Sequence, residues 1–452
     1  MSHFLLTFYG DDFTGSTDVM EALTLGGVPT VLFLEPPSLD LVAQHFPQAR
    51  AVGVAGVSRS MSPAQMDAAL PPIFQALQVF SAPLFHYKIC STFDSSPQIG
   101  SIGHAIEIGL KVFGERDVPL VVGAPILKRY VVFGNLFATF GDDTYRLDRH
   151  PTMKQHPITP MDEADLRLHL GRQTSRPIGL VDIRSMTEAA QLTERYQQQL
   201  STGCQIVLFD TLNDQHLRLI GEHLWTTRGE GQRLIVGSSG VEYALTAHWQ
   251  RSGLVEQPEE RTSSGMVDQM AVISGSAAPQ TAAQIRWAIE QGFQPIRLDT
   301  PRLVDPGQAD AARAEALEQA VQAIAVGQSV VMFSTIGPDD PHIEATRQRM
   351  GQLGINPYQV GTILGTQQGM LLRELLERTK LKRVCVSGGD TCGYSARQLG
   401  VYALEYVMPI APGSPLCRAR SHHQEFDGLE ISLKAGQVGK PDYFGSILRG
   451  HA

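Results

Sequence analysis

The sequence predicts an α/β protein made of two α/β domains with mostly parallel sheets and a cleft between them. Three observations lead there. The chain has 452 residues, more than the ~250–300 at which a single core stops growing. Short, β-branched apolar runs alternate with amphipathic stretches, the pattern of strands covered by helices on both faces. A polar, charged stretch, VEQPEERTSSGMVDQ at 255–269, interrupts the alternation, which then restarts. The expected division is therefore a domain 1–254, a linker 255–269 and a domain 270–452.

Taken in order, the strands expected in the first domain are 4–10, 29–34, 51–57, 84–90, 119–124, 178–183, 205–210 and 234–239. Each is a continuous apolar run, as a strand buried on both faces requires. Residues 16–26 place Val19, Ala22 and Leu23 at i, i+3, i+4, and 214–228 do the same with Leu217, Ile220 and Leu224, so both read as helices. Segment 125–170 has charges, two His-Pro pairs and no clean period; an irregular insertion of that length is expected to be functional or flexible. The second domain reads as a strand at 270–276, a helix from Pro279, a strand at 295–299, a helix at 307–326 and a strand at 329–335. Helix through 340–379, a strand at 383–389 and a helix at 391–399 follow.

Composition narrows the class. With 42% hydrophobic and 18% charged residues, there is apolar material for two cores in a soluble protein. The net charge of −9 disfavours nucleic acid and anionic membrane as partners, because both need clustered positive charge. Five cysteines, with no C-x-x-C pair, argue against a disulfide framework or structural zinc. The N-terminus MSHFLLTFYGDD lacks a basic leader region, and no apolar run reaches the ~18 residues of a membrane span. A cytoplasmic location is expected.

The chemistry-bearing motifs sit at strand ends. In LLTFYGDDFTGSTD an apolar run stops at Gly10 and Asp11 and Asp12 follow at once. Carboxylates at the C-terminal end of a parallel strand face the ligand crevice and can orient a hydroxyl or accept its proton. A helix N-cap would account for one acid and not for two. Arg59, just after the run 51–57, is placed to grip a carboxylate with two parallel hydrogen bonds, against the plain reading of a solvated surface Arg. Lys88, in an otherwise apolar run, calls for a carboxylate or anionic ligand beside it. Ser91, Thr92 and Asp94 crowd the next loop and could contact a polyhydroxylated ligand, or simply cap a helix starting near Pro97. Cys90 reads as a small buried hydrophobe. His150 and His156 lack metal-ligand spacing, and no metal ligand is singled out.

In the second domain SGGDTCG, Ser387 to Gly393, joins a strand to a helix. Its glycines admit close approach, and the helix start offers free N–H groups to a phosphate. ISGSAAPQT, with Ser274 and Ser276, and LKAGQVGKPDYFG, with Gly436, are further small-residue elements of that half. Neither a Walker A loop nor a well-placed G-x-G-x-x-G is present, which sets aside a dinucleotide-dependent dehydrogenase. Acids, an Arg and a Lys in one half and glycine cradles in the other suit phosphoryl transfer to a hydroxyl.

GDDFTGSTD, SRSMSPAQ, YKICSTFDSS, SGSAAPQT, SGGDT and LKAGQVGKPDYF occur in the order of the four-carbon acid sugar kinase family, and the chain resembles that family over nearly its whole length. The resemblance implies a two-domain ATP-dependent kinase, with the acid sugar on the N-terminal domain, ATP on the C-terminal domain and Mg2+ on the nucleotide. It implies phosphorylation of a terminal hydroxyl of a four-carbon acid sugar. Asp12 is then the base and Asp11 a substrate-orienting acid. Arg59 and Lys88 are the carboxylate grip, and Ser91, Thr92 and Asp94 are hydroxyl contacts. Ser274, Ser276, Gly388, Gly389, Asp390, Thr391 and Gly436 are ATP contacts. STFDSS resembles the 3-oxo-tetronate branch, whereas the threonate branch tends to read S-T-L-R-G there. In VVGAPILKRYVVFGNLFA the branch's P-A-x-P-x-x-G-R pattern is altered: Lys128 stands where a Gly precedes the Arg, here Arg129. A 3-oxo acid sugar such as 3-oxo-tetronate is the expected substrate, with threonate, erythronate or 3-oxo-isoapionate as alternatives. A non-catalytic acid-sugar sensor is the alternative of a different class, disfavoured by the intact nucleotide half. A homodimer stays open.

Overall fold

A computed structural model describes residues 3–156, 158–258 and 263–451, apart from the side chains of Tyr358 and Asp390. The chain divides into two compact units, Met1–Glu259 and Glu260–Ala452. Residues 259–262 of the expected linker lie outside the described residues.

The strands of the first unit are β1 Leu6–Gly10, β2 Thr30–Phe33, β3 Ala51–Ala55, β4 Leu84–Lys88, β5 Val118–Val121, β6 Arg129–Val132, β7 Asn135–Phe140, β8 Asp143–Arg146, β9 Ile178–Val181, β10 Ile206–Phe209 and β11 Arg233–Gly237. Eight of them form one sheet in the order β2-β3-β1-β4-β11-β5-β10-β9, all pairings parallel. Strands β1 to β5 and β10 and β11 are buried at every position. Burial on both faces is why they read as continuous apolar runs. From β1 the chain builds β2 and β3 on one side, then crosses to β4 on the other. Gly10 ends level with Ala55 of β3 and Lys88 of β4. The loops after β1, β3 and β4 thus leave side by side at the point where the strand order reverses, where open α/β sheets bind ligands.

The irregular insertion is a three-stranded antiparallel sheet, β6-β7-β8, followed by single 3-10 turns. Its strands mix buried with half-buried and exposed positions, so neither a long apolar run nor a clean alternation marks them in the sequence. Asp210, just after β10, anchors the β6–β7 turn. Its carboxylate accepts N–H bonds from Phe133 at 2.6 Å, Gly134 at 2.8 Å and Ile183 at 3.1 Å, and burial pushes its pKa up to about 6. A second correction concerns Pro97. The helix after the Ser-rich loop begins only at Ile102, where Ser101 caps the His104 N–H.

The strands of the second unit are β12 Ala271–Ser274, β13 Gln294–Arg297, β14 Val330–Phe333, β15 Arg383–Ser387, β16 Val401–Ala411, β17 Ser414–Ser421 and β18 Glu430–Lys434. They run β13-β14-β12-β15-β18-β17-β16. The first five are parallel and the β18-β17-β16 side is antiparallel. Reversal of strand order falls between β12 and β15, so the small-residue loops Ser274–Ser276 and Ser387–Gly389 are neighbours by topology. The long antiparallel β16–β17 pair was not expected. The stretch 340–379 is two helices, Pro341–Gln352 and Val360–Thr379; the first ends as Gly354 takes φ +66 and the Ile355 N–H bonds back to the Met350 carbonyl, a glycine C-cap. No described helix is long and apolar enough to cross a membrane.

Candidate active site

Asp12 is the N-cap of the helix Phe13–Leu25. Its carboxylate accepts the Gly15 N–H at 2.8 Å and the Thr14 hydroxyl at 2.9 Å. The cap reading and the ligand-facing reading are therefore both satisfied by one residue. Arg59, carried by the loop after β3, reaches across to both acids. It donates from Nε and Nη2 to Asp11 at 3.1 and 2.7 Å, and from Nη1 and Nη2 to Asp12 at 3.0 and 2.9 Å. Four of its five N–H donors are thereby engaged. The guanidinium that the sequence assigned to a substrate carboxylate holds the two adjacent carboxylates together and neutralises them.

Lys88 ends β4 and is buried, as is the carboxylate the sequence demanded for it. Its Nζ lies 3.6 Å from Asp18, while the other Asp18 oxygen is buried without a partner. A Cβ at Gly15 would stand 2.4 Å from Asp12 Oδ1 and 3.1 Å from Lys88 Nζ; only glycine lets this turn close over the ammonium. Burial opposes ionisation of Asp12, but Arg59, Lys88 and the two hydrogen bonds outweigh it and hold the carboxyl below the usual range. Burial, then the neighbouring Asp12 charge, raises Asp11 despite Arg59. Burial alone would lower Lys88, yet Asp18, Asp12 and Asp11 hold it above its ordinary value. Asp11 is 3% exposed, whereas the Asp12 side chain is 26% exposed. Asp12 is thus the acid a ligand can reach.

The loop after β4 carries Ser91, Thr92 and Asp94. Thr92 Oγ1 lies 2.9 Å from Cys90 Sγ. Burial first, then Asp94, pushes the Cys90 thiol up to about 11, which removes it as a nucleophile. Phe93 is buried with φ +60, a left-handed conformation that a bulky side chain rarely adopts. It tucks the ring inward. Asp94 is 8% exposed and one of its oxygens, Oδ1, has no hydrogen-bond partner. Ser91 is half-buried.

In the second unit Gly388 has φ +123 and precedes the helix Gly389–Gln398, a turn no L side chain makes comfortably. A cavity of ≈ 550 Å³ opens there. Gly275, Ser276, Gly388, Gly389, Thr391 and Gly436 line it together with Ile343, Met350, Val360 and Leu364. Polar backbone at a helix start beside an apolar slot is what a nucleotide needs, for its phosphates and its base. Ser274 is corrected: it is fully buried, does not line the cavity, and its hydroxyl accepts the Ser276 N–H at 3.4 Å. The Asp390 side chain lies outside the described residues.

Sequence reasoning missed several residues. Gln368, from the helix Val360–Thr379, donates to the Ser274 carbonyl at 3.1 Å and accepts from Thr391 at 3.2 Å, so it ties the two small-residue loops together. Lys434, at the end of β18, is fully buried, and its Nζ donates to Thr281 and Ser387 hydroxyls at 3.1 Å each. No carboxylate pairs with it among the described residues, and burial lowers its pKa to about 8. The lysine inside the apolar run ISLK was the available signal. Gln368 left none.

Comparison with known proteins assigns both halves. Residues 6–245 match a family model described as a sugar-binding N-terminal domain, and residues 271–444 one described as a nucleotide-binding C-terminal domain. A 3-oxo-isoapionate kinase of Paraburkholderia graminis is 45% identical over 99% of this chain and 94% of its own. A 3-oxo-tetronate kinase of Cupriavidus necator is 30% identical over 98% of this chain and 96% of its own. Among solved structures, one described as a putative tRNA synthase from Salmonella typhimurium LT2 superposes with a TM-score of 0.80 at 22% identity, over 99% of both chains. A Haemophilus influenzae protein does so with 0.71 at 23% identity, over 97% of this chain and 98% of its own. These two likenesses concern the fold.

Proposed function

The chain belongs to the four-carbon acid sugar kinase family, and from that premise we propose that it transfers the γ-phosphoryl group of ATP to a terminal hydroxyl of a 3-oxo acid sugar. The observation that carries this reading is the cavity of ≈ 550 Å³ that joins a glycine-lined helix start to an apolar slot. That shape serves a nucleotide, and the relatives are named as kinases of 3-oxo acid sugars. The relative at 45% identity makes 3-oxo-isoapionate the first substrate to try; 3-oxo-tetronate, named for relatives at 26–30% identity, is the second.

In this reading the adenine occupies the slot of Ile343, Met350, Val360 and Leu364, and the phosphates meet Ser276, Gly388, Gly389, Thr391 and Gly436. Ser274 and Gln368 hold those loops in place. Mg2+ bound with the ATP would offset the negative charge of its phosphates. No three His, Cys, Asp or Glu form a metal cluster among the described residues, and the Thr391 hydroxyl, which lines the cavity, would be the protein oxygen to hold such an ion. On the first unit the substrate hydroxyl donates to Asp12. As the bond from the γ-phosphorus to the ADP oxygen breaks and the bond to the substrate oxygen forms, the hydroxyl proton passes to Asp12. A carboxylate of depressed pKa suffices, because a loose phosphoryl-transfer transition state asks for little proton removal early on. Asp11, clamped by Arg59, and Asp18, beside Lys88, fix that geometry; Lys88 supplies a buried positive charge, and Ser91 and Thr92 contact substrate oxygens.

The test is Asp12→Asn, assayed by ADP release and by equilibrium binding of ATP. The expected outcome is at least a 1,000-fold fall in kcat, about 4 kcal/mol in the barrier, with the ATP Kd within twofold of wild type. Retention of more than a tenth of the wild-type kcat would remove Asp12 from the chemistry.

A further inference from the structure

The hydroxyls that line the cavity of the second unit are of two kinds once their protons are counted. Ser276, Ser334, Thr300 and Thr346 all line it. Ser276 Oγ accepts the Ala278 N–H at 3.2 Å, and Ser334 Oγ accepts from Gln368 Nε2 at 2.7 Å. Each serine has taken a proton and still holds its own, so both can donate to a ligand. Thr300 and Thr346 are the reverse. Thr346 Oγ1 lies 2.6 Å from the His342 carbonyl oxygen. A carbonyl has no proton, so the one between these two oxygens is that of Thr346. Thr300 Oγ1 lies 2.6 Å from Thr346 Oγ1. Thr346 has no second proton to give, so Thr300 donates there. Both protons are spent inside the protein, and the pair keeps lone pairs only. Thr346 lies three residues after Ile343 and four before Met350 in the helix Pro341–Gln352, a spacing that puts all three on one helical face. All three line the cavity, so the acceptor pair is set into the apolar wall.

We propose that the Thr300–Thr346 pair selects the base of the phosphoryl donor: it accepts a hydrogen bond from the exocyclic 6-amino group of adenine and rejects a 6-oxopurine. The assignment rests on the kinase reading and adds to it a choice among nucleotides. An amino group supplies the proton that the pair lacks. A 6-oxo group supplies none, so it would set lone pair against lone pair in a wall with no other proton to offer, and polar groups left facing one another unpaired in a binding site weaken the ligand that brings them there. The same count suits the phosphates to the serines, whose spare protons can go to phosphate oxygens. Thr391 has spent its proton on Gln368, at 3.2 Å, which leaves its lone pairs for a cation.

The test is equilibrium binding to the full chain by isothermal titration, which needs no acid sugar. The probes are ATP, inosine triphosphate, with oxygen in place of the 6-amino group, and purine riboside triphosphate, with hydrogen there. Wild type is expected to bind ATP about tenfold or more tightly than either analogue. Thr300→Val keeps the shape of the side chain and removes its oxygen. It is expected to weaken ATP about tenfold and to leave the Kd of purine riboside triphosphate within about twofold of wild type, so that the preference for ATP disappears. Thr300→Ser, which keeps the oxygen, retains the preference. Inosine triphosphate bound by wild type within twofold of ATP would overturn the assignment. So would a Thr300→Val variant that weakens all three nucleotides alike, the mark of a merely structural pair. ADP release with the acid sugars is measured separately. Selective binding of ATP with no ADP release from any acid sugar would end the kinase reading and leave the base assignment standing, whereas wild type that binds none of the three nucleotides would end both.

Discussion

Lys128 holds a left-handed backbone conformation, one usually left to glycine. Its φ of +56 places Cβ close to the following carbonyl, at a cost of about 1 kcal/mol. Lys128→Gly is accordingly expected to stabilise the protein by up to about 1 kcal/mol, read as a raised midpoint in urea unfolding, with no change in KM for either substrate. A lower midpoint would mean that the lysine makes a compensating contact. At this scale the sequence was partly legible. The acids at the end of β1, Lys88 and the Gly388–Gly389 turn stood out, because charge or paired glycine breaks an apolar run abruptly and a buried strand end rarely carries either without a partner. What could not be read was where each charge goes. Whether Arg59 meets a substrate or two neighbouring aspartates depends on three loops that converge only in the folded sheet, and linear spacing carries no trace of that.

At the scale of elements, the loop-bearing strands place charge where helices cannot. Strand β18 brings Lys434 under the Gly388 turn with no carboxylate paired to it among the described residues, and burial lowers it from 10.5 to about 8. A lysine whose folded pKa is depressed releases its proton sooner in the folded state. It therefore destabilises the fold fully below pH 8, and the penalty fades as pH rises from 8 to 10.5. Lys434→Met should then be more stable than wild type at pH 7, by up to about 3 kcal/mol, with the difference vanishing near pH 10.5. The same variant is expected to raise the Kd for ATP about tenfold, since a positive charge behind the phosphate loop is lost. Thermal unfolding from pH 7 to 10.5 and isothermal titration with ATP check both parts. A variant that is less stable at every pH would contradict the account. Parallel strands with helices were readable because burial on both faces gives continuous apolar runs. The β6-β7-β8 sheet was not, because its half-exposed strands mix polar and apolar positions, nor was the β16–β17 pair, whose apolar positions are interrupted by polar ones such as Arg418 and Arg420 and whose partners are set by tertiary contacts. The break after Gln352 had a signal in Gly354, which caps the helix there.

For the molecule as a whole, each unit repeats one design principle: a parallel sheet reverses its strand order, and the loops that carry the site leave at the reversal. That principle explains why the two halves can divide the labour of a two-substrate reaction, one holding a polyhydroxylated acid and the other a nucleotide. The most direct measurement is ADP release by the full chain with Mg-ATP across a panel of acid sugars: 3-oxo-isoapionate, 3-oxo-tetronate, threonate and erythronate, with the product mass recorded. The account predicts turnover of at least one 3-oxo acid, with kcat/KM at least tenfold above those of threonate and erythronate, and a product heavier by one phosphoryl group. Binding of these acids without ADP release, or turnover confined to threonate and erythronate, would contradict it.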